Sequence, residues 1–274
     1  MDLSGKNIVV IGSGGIGLST IRLLLQKNIA VSRISSYLIT TLFNLTLNDL
    51  RRQYPGTTIL YFHLDITKKE DVERIFAQIF QKFKKIDVLL NAAGILDDHH
   101  KPELTISVNL WGVVNTTLAA YSHMDKSKGG QGGLIVNVAS ILGTMTCPPL
   151  AVYGATKAGV ISFTRSLSGN YYYSKSGVAL TVICPGLTIT SMTENLSEKT
   201  TFPYRDDVFG ESLFPPQSAE DCAKNIVRAI EQNKNGSIWI CNDSKLNEAK
   251  LEDDTVHWSN IFVSCILLLN FWVN

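Results

Sequence analysis

Residues 7–17 read Asn-Ile-Val-Val-Ile-Gly-Ser-Gly-Gly-Ile-Gly, an apolar β-branched run that breaks into Gly12-Ser13-Gly14-Gly15-Ile16-Gly17 and leads into a helix-like stretch over residues 15–27. A strand, a glycine-rich turn and a helix in that order form the context in which a G-x-G-x-x-G-type spacing binds a dinucleotide. Without side chains the backbone can turn tightly and approach a pyrophosphate, and the helix's free amides and positive dipole end then face the anion. This stretch decides the fold, because the rest of the chain repeats its grammar.

Strand-like runs follow at residues 58–62, 87–90, 134–138, 178–183 and 237–240, and helix-like stretches at 68–84, 102–122, 151–169 and 219–232. In the first of those helices, over 68–84, Val72, Ile75, Phe76, Ile79, Phe80 and Phe83 fall at helical spacing. Strands separated by helices pair in parallel through right-handed crossovers, so the expected fold class is α/β, a single-domain doubly wound parallel sheet of Rossmann-like form. We expect one domain over residues 1–258 and an atypical apolar C-terminal tail over 259–274. Residues 31–46 (VSRISSYLITTLFNLT) stand where a second strand belongs but are long, Ser/Thr/Leu-rich and poorly patterned, and are read as foreign to it.

Composition narrows the function. The 274 residues are 45% hydrophobic and 18% charged, which excludes a mainly disordered chain. Twenty-five Lys+Arg against twenty-four Asp+Glu leave a formal charge of +1, without the basic excess that nucleic acid demands. The five cysteines, at 147, 184, 222, 241 and 265, form no C-x-x-C pair, suggesting neither zinc nor a disulfide framework. The N-terminus has no signal-peptide core, and the tail is shorter than the ~20 residues a membrane helix needs, so the expectation is a soluble cytoplasmic protein.

The dinucleotide fingerprint ordinarily continues to an acidic residue that holds the ribose and marks NAD over NADP. None occurs between Asp2 and Asp49, where Ser32, Arg33, Ser35 and Ser36 stand instead. Arg33 could accept a 2′-phosphate, which would favour NADP. Further on, Tyr153 and Lys157 are four apart in a helical stretch and therefore share a face. An ammonium beside a phenol favours the phenolate, an oxygen able to take a proton from an alcohol. Ser140 ends the preceding strand, at the sheet edge where ligands sit, and its hydroxyl could hold the substrate oxygen. His99 and His100 beside Asp97 and Asp98 read as a solvated loop rather than a metal site, and Tyr171, Tyr172 and Tyr173 as helix-end packing.

Gly12–Gly17, Asn91-Ala-Ala-Gly94, Asn109, Ser140, Tyr153-Gly-Ala-Thr-Lys157 and Pro185-Gly186 occur in the order and spacing of the short-chain dehydrogenase/reductases, which the chain resembles. More narrowly, residues 91–99 (NAAGILDDH), 114–117 (VNTT), 128–133 (KGGQGG), 235–239 (NGSIW) and His257-Trp258 resemble the dipteran insect alcohol dehydrogenase branch. The resemblance covers roughly residues 5–30 and 47–258.

The resemblance implies oxidation of small secondary or primary alcohols with NAD, without a metal, in a homodimer. Tyr153 would be the general base. Lys157 would lower its pKa and bind the nicotinamide ribose, and Ser140 would orient the alcohol. Asn109 would hold a water that relays the proton. Asp65 would contact adenine, Asn91 and Gly94 would line the cofactor, and Thr190, five beyond Pro185, would hold the carboxamide. A catalytically weak paralogue that keeps only the fold is the alternative. The intact Ser140, Tyr153, Lys157 and Asn109 set favours an enzyme; the damaged second-strand region favours the paralogue.

Overall fold

A computed structural model describes residues 1–27, 30–36, 40–202 and 215–250, with residues 30–36 and 40–46 given by their backbone alone. The proposed tail at 259–274, His257, Trp258 and Cys265 lie outside the described residues.

Strand β1 (Asn7–Ile11) is followed by helix α1 (Gly15–Gln26), β2 (Ala30–Ser36), α2 (Thr40–Gln53), β3 (Ile59–Leu64), α3 (Lys69–Phe83) and β4 (Val88–Asn91). Next come α4 (Pro102–Ile106), a π-helical turn (Ser107–Trp111), α5 (Gly112–Met124), β5 (Gly133–Val138), α6 (Ala151–Leu167), α7 (Asn170–Ser176) and β6 (Val178–Pro185). Short strands β7 (Thr188–Ile189) and β8 (Gln217–Ser218) pair with each other. Helix α8 (Ala219–Gln232) and strands β9 (Ile238–Asn242) and β10 (Lys245–Ala249) complete the described chain.

The main sheet has eight strands in the order β10-β9-β6-β5-β4-β1-β2-β3, parallel throughout except for the β10 edge. Strand order reverses around β1, which pairs with β2 on one side and β4 on the other. That reversal opens a crevice at the carboxyl ends of β1 and β4.

Both faces of the sheet are covered, and the two-residue period of the strands sorts their side chains between the two layers. Ile8, Val10, Val88, Leu90, Leu134 and Val136 face one layer, with Ile21, Leu24 and Leu25 of α1 and Ile226 and Ile230 of α8. The alternate residues Val9, Ile11, Leu89 and Ile135 face the other, with Val72, Ile75, Phe76 and Ile79 of α3 and Ala120 and Met124 of α5. The doubly wound reading is thereby met strand by strand.

Three local expectations are corrected. The segment read as foreign carries β2, bonded to β1 and β3, and the start of α2. A central parallel strand lies between two layers, so it need not show polar alternation. The helix expected over 102–122 is interrupted at Ser107–Trp111 by one π turn, a feature that apolar spacing does not signal. Strand β10 lies beyond the last expected strand, and no glycine marks its hairpin, which turns through Asp243 and Ser244 at φ 49° and 57°.

Candidate active site

The crevice begins at Gly12, whose φ of 98° suits glycine. A Cβ there would lie 2.5 Å from the Ala93 amide nitrogen, so only a bare backbone lets the end of β1 meet the chain leaving β4. At Gly17 a Cβ would lie 2.4 Å from the Gly12 carbonyl oxygen, which packs the helix onto the loop. At Gly14, by contrast, nothing lies within 4 Å of a Cβ position. Gly14 caps α1 without a side chain, and the first helical turn carries no acidic residue. The positive helix end is thus open to an anion of the pyrophosphate kind. Ser13 and Ile16 complete this loop. Thr190 stands across from it: its Cγ2 is 2.3 Å from where a Cβ of Gly15 would be, which brings the loop after β6 to the glycine turn.

From Gly12 the crevice floor continues through residues 92–94. A Cβ at Gly94 would sit 3.3 Å from Asn109 Oδ1 and 3.4 Å from Lys157 Nζ, so this loop joins the glycine turn to the ionisable cluster. Asn109 lies in the π turn, fully buried. Its Oδ1 accepts from the Ile95 amide at 2.8 Å and its Nδ2 donates to the Ile95 carbonyl at 2.8 Å, a two-way clamp on the β4 loop. Nδ2 also lies 3.4 Å from the Thr156 hydroxyl of α6.

Ser140, Tyr153 and Lys157 come together where β5 ends against the first turns of α6. Tyr153 is 8% exposed and Lys157 3%, and the Lys157 Nζ lies 5.5 Å from the centroid of the Tyr153 ring. Nζ donates to the Val138 carbonyl at 3.1 Å, which fixes the ammonium at the end of β5. Burial pushes the Tyr153 phenol up to about 12, opposed by its interaction with the Ser140 hydroxyl. Burial also brings Lys157 down to about 8, opposed by Cys184. Both shifts have one cause: the dry pocket disfavours an isolated charge on either group. Phenolate and ammonium formed side by side relieve that penalty for each other. Around the phenol stand Leu96 and Leu150, with Leu142, Cys147, Met192 and Leu196 packed against them, an apolar wall suited to alkyl groups.

The remaining expected residues are distributed as follows. Asp65 ends up just past β3, its carboxylate accepting from the Thr67 amide at 3.0 Å and hydroxyl at 2.6 Å and lying 3.5 Å from Lys68 Nζ. The Asn91 side chain turns into the protein: its Nδ2 donates to Asn137 Oδ1 at 2.8 Å and to the Thr117 hydroxyl at 3.1 Å, while Oδ1 accepts from Thr116 at 2.9 Å. With both ends of its amide engaged there, Asn91 offers the crevice its backbone. Pro185 closes β6, and the Gly186 amide donates to the Cys241 carbonyl at 2.8 Å. A Cβ on Gly186 would meet Asn242 Oδ1 at 2.0 Å, so its glycine serves close packing on β9. Thr190 caps the turn Ser191–Thr193.

Some neighbours of this site had no sequence signal. Cys184 is fully buried, its thiol pushed up to about 12 by burial, and it faces both Lys157 and the Ser140 backbone. Asp98, read as part of a solvated loop, is 3% exposed and bonds to the amides of Val152 and Tyr153, whereas His99 and His100 are exposed. Tyr171, Tyr172 and Tyr173 do not pack at a helix end as expected; they are exposed on α7, with Lys175 Nζ 4.1 Å from the Tyr171 ring centroid. Among the described residues no group of three or more His, Cys, Asp or Glu side chains could hold a metal, and no helix is long and apolar enough to cross a membrane.

Comparison with known proteins places this geometry in context. The short chain dehydrogenase family model matches residues 6–201. Alcohol dehydrogenase 2 of Ceratitis cosyra is 40% identical over 262 residues, 94% of this chain and 98% of that protein. The alcohol dehydrogenase-related 31 kDa protein of Drosophila melanogaster is 38% identical over 261 residues, 94% of this chain and 92% of its own. Among solved structures, ElxO with NADP bound is 27% identical with a TM-score of 0.70, covering 86% of this chain and 96% of that one. Levodione reductase shares the fold with a TM-score of 0.74 at 19% identity, over 86% of this chain and 96% of its own.

Proposed function

The chain belongs to the short-chain dehydrogenase family, and from that premise we propose that it is an NAD-dependent alcohol dehydrogenase that converts small secondary or primary alcohols to ketones or aldehydes. The observation that carries this reading is the convergence of Ser140, Tyr153 and Lys157 in an apolar pocket joined to the glycine loop through Gly94. Tyr153 takes the hydroxyl proton of the alcohol, and Lys157 stabilises the phenolate from which it acts. The Ser140 hydroxyl orients the alcohol oxygen. Asn109 holds the β4 loop against α6 and positions a water that carries the proton outward. The bound nicotinamide supplies the acceptor for the hydride that leaves the alcohol carbon. A weak paralogue would not need this intact set of four.

Cofactor choice follows from position. In the register of β2, Arg33 pairs with Val10 and Tyr61 and lies three residues before Ser36, the last of the strand. Ligands in such sheets sit beyond the strand ends, so Arg33 is poorly placed for a 2′-phosphate. We therefore assign NAD over NADP, bound without the usual carboxylate. Losing that charged hydrogen bond costs ~1.5–3 kcal/mol, roughly ten- to a hundredfold in affinity. Gly12, Ser13, Gly14, Gly15, Ile16 and Gly17 hold the pyrophosphate, Asp65 the adenine, the backbone at Asn91 and Gly94 the cofactor's middle, and Pro185, Gly186 and Thr190 the carboxamide end.

In this reading residues 1–258 form the catalytic domain, residues 259–274 extend it, and the protein works in the cytoplasm as a homodimer. Ile106, Trp111 and Leu118, each nearly half exposed along α4 to α5, support a two-fold contact there. Titration of the full chain with NAD⁺ and with NADP⁺ by tryptophan fluorescence, followed by addition of propan-2-ol, tests the proposal. Reduced-nicotinamide absorbance is expected with NAD⁺. Bound cofactor without reduction across short-chain alcohols contradicts the activity, and clearly tighter NADP⁺ binding overturns the cofactor assignment.

A further inference from the structure

Helix α6 carries the base, yet the residue at its N-cap, Leu150, has no side chain that could bond its first amides. Those amides are served from a different part of the chain. Asp98, in the loop after β4, accepts at Oδ2 from the Val152 amide at 2.9 Å and from the Tyr153 amide at 3.0 Å, and at Oδ1 from the Tyr153 amide at 3.0 Å. The Thr201 hydroxyl lies 3.3 Å from the same Oδ2 and accepts from the Ala151 amide at 3.0 Å. The Asp98 amide donates to the Lys199 carbonyl at 3.0 Å, and the Thr201 amide donates to the Pro149 carbonyl at 2.8 Å. Three segments distant in sequence thus meet at one buried carboxylate, directly beneath the backbone of Tyr153.

We infer that Asp98 is a positioning residue for the catalytic base: it holds the Tyr153 backbone at the start of α6 and locks it to residues 199–201, which continue from the wall formed by Met192 and Leu196. This rests on the reading of Tyr153 as the base. The groups facing the phenol are Lys157 from α6, Cys184 from β6, the Ser140 hydroxyl from the end of β5 and Asp98 from the β4 loop, with Asp97 behind Asp98 and Cys147 beside it. The charge of Asp98 opposes phenolate formation, whereas an ammonium such as that of Lys157 favours it. Burial raises the Asp98 carboxyl itself above the ordinary 3.8. The side chain therefore fixes the base and makes it a weaker acid, two effects of opposite kinetic sign that an ordinary helix cap does not combine.

The test is the pH profile of kcat and kcat/KM for propan-2-ol oxidation at saturating NAD⁺ by the full chain, Asp98→Asn, Thr201→Val and Tyr153→Phe. Asp98→Asn keeps the shape but sets its NH₂ against the Tyr153 amide, donor against donor. It should lower kcat roughly tenfold, leave KM for NAD⁺ within about twofold, and move the pKa of the acidic limb down by about half a unit or more. Thr201→Val replaces the hydroxyl with a methyl of similar size and should reduce kcat about threefold with the parent's pKa. Parent-like kcat and pKa in Asp98→Asn, beside an inactive Tyr153→Phe, overturn the positioning role and leave the base intact. An active Tyr153→Phe overturns the base itself. Should Asp98→Asn not fold, Thr201→Val decides, and a kcat equal to the parent's overturns the inference.

Discussion

Two buried polar clusters join β5 to α6, and they are built on opposite principles. In the first, Asn137 Nδ2 donates to Thr164 at 2.9 Å while its Oδ1 accepts from Asn91 at 2.8 Å and from Thr117 at 3.2 Å. Every member is neutral, and the network ties β4, β5, α5 and α6 together. In the second, about two to three helical turns nearer the N-terminus of α6, Tyr153 and Lys157 are ionisable and buried, and burial shifts each towards its uncharged form. The first cluster stabilises the fold because its groups have partners. The second is costly until charge is drawn into it, and chemistry can use that cost.

Substitutions should separate the two. Replacing Asn137 with Leu leaves Thr164, Asn91 and Thr117 short of partners and should destabilise the protein by about 2–4 kcal/mol. Chemical denaturation reads this as a lowered midpoint, with the folded fraction still oxidising alcohol. Lys157→Met should act the other way, abolishing turnover yet raising cofactor-free stability by on the order of 1–2 kcal/mol, since a buried charge is removed at the cost of one unpaired Val138 carbonyl. A Lys157→Met protein less stable than its parent would break the contrast.

The contrast also carries a pH dependence. Lys157 is held near 8 against an ordinary 10.5, so the stability it contributes is full above the ordinary value and lost as pH falls through about 8. Cofactor-free parent should therefore gain stability relative to Lys157→Met between about pH 8 and 10, a difference measurable by thermal melts across that range. Asp98 has the opposite sign. Its raised carboxyl contributes stability below 3.8 that is lost as pH rises through the higher folded value, a slope absent from Asp98→Asn.

The same contrast explains what the sequence made legible. Gly12 to Gly17 and the Tyr153–Lys157 pair are local patterns, set by a turn and by helical spacing, and each carries its chemistry within a few residues. The alternation that divides Ile8 and Val10 from Val9 and Ile11 is local too. Asp98 leaves no sequence signal as a cap because a cap ordinarily lies directly before its helix, whereas this one lies 55 residues from Tyr153. The inward turn of Asn91 meets Asn137, 46 residues away, and Asn109 in the π turn bonds Ile95, 14 residues away. Long-range partners of single polar side chains leave no periodic trace. Strand β2 was obscured for a related reason: pairing on both sides supports a segment whose own composition argues poorly for a strand.

The central claim is that the second cluster exists for proton transfer, and Tyr153→Phe tests it most directly because it removes one oxygen and nearly nothing else. The decisive measurement is the initial rate of NAD⁺ reduction by propan-2-ol in parent and variant, with cofactor affinity measured on both. The account predicts NAD⁺ binding within about threefold of the parent and a turnover lower by roughly 10²–10⁴. Turnover within tenfold of the parent, at equal cofactor affinity, would contradict it.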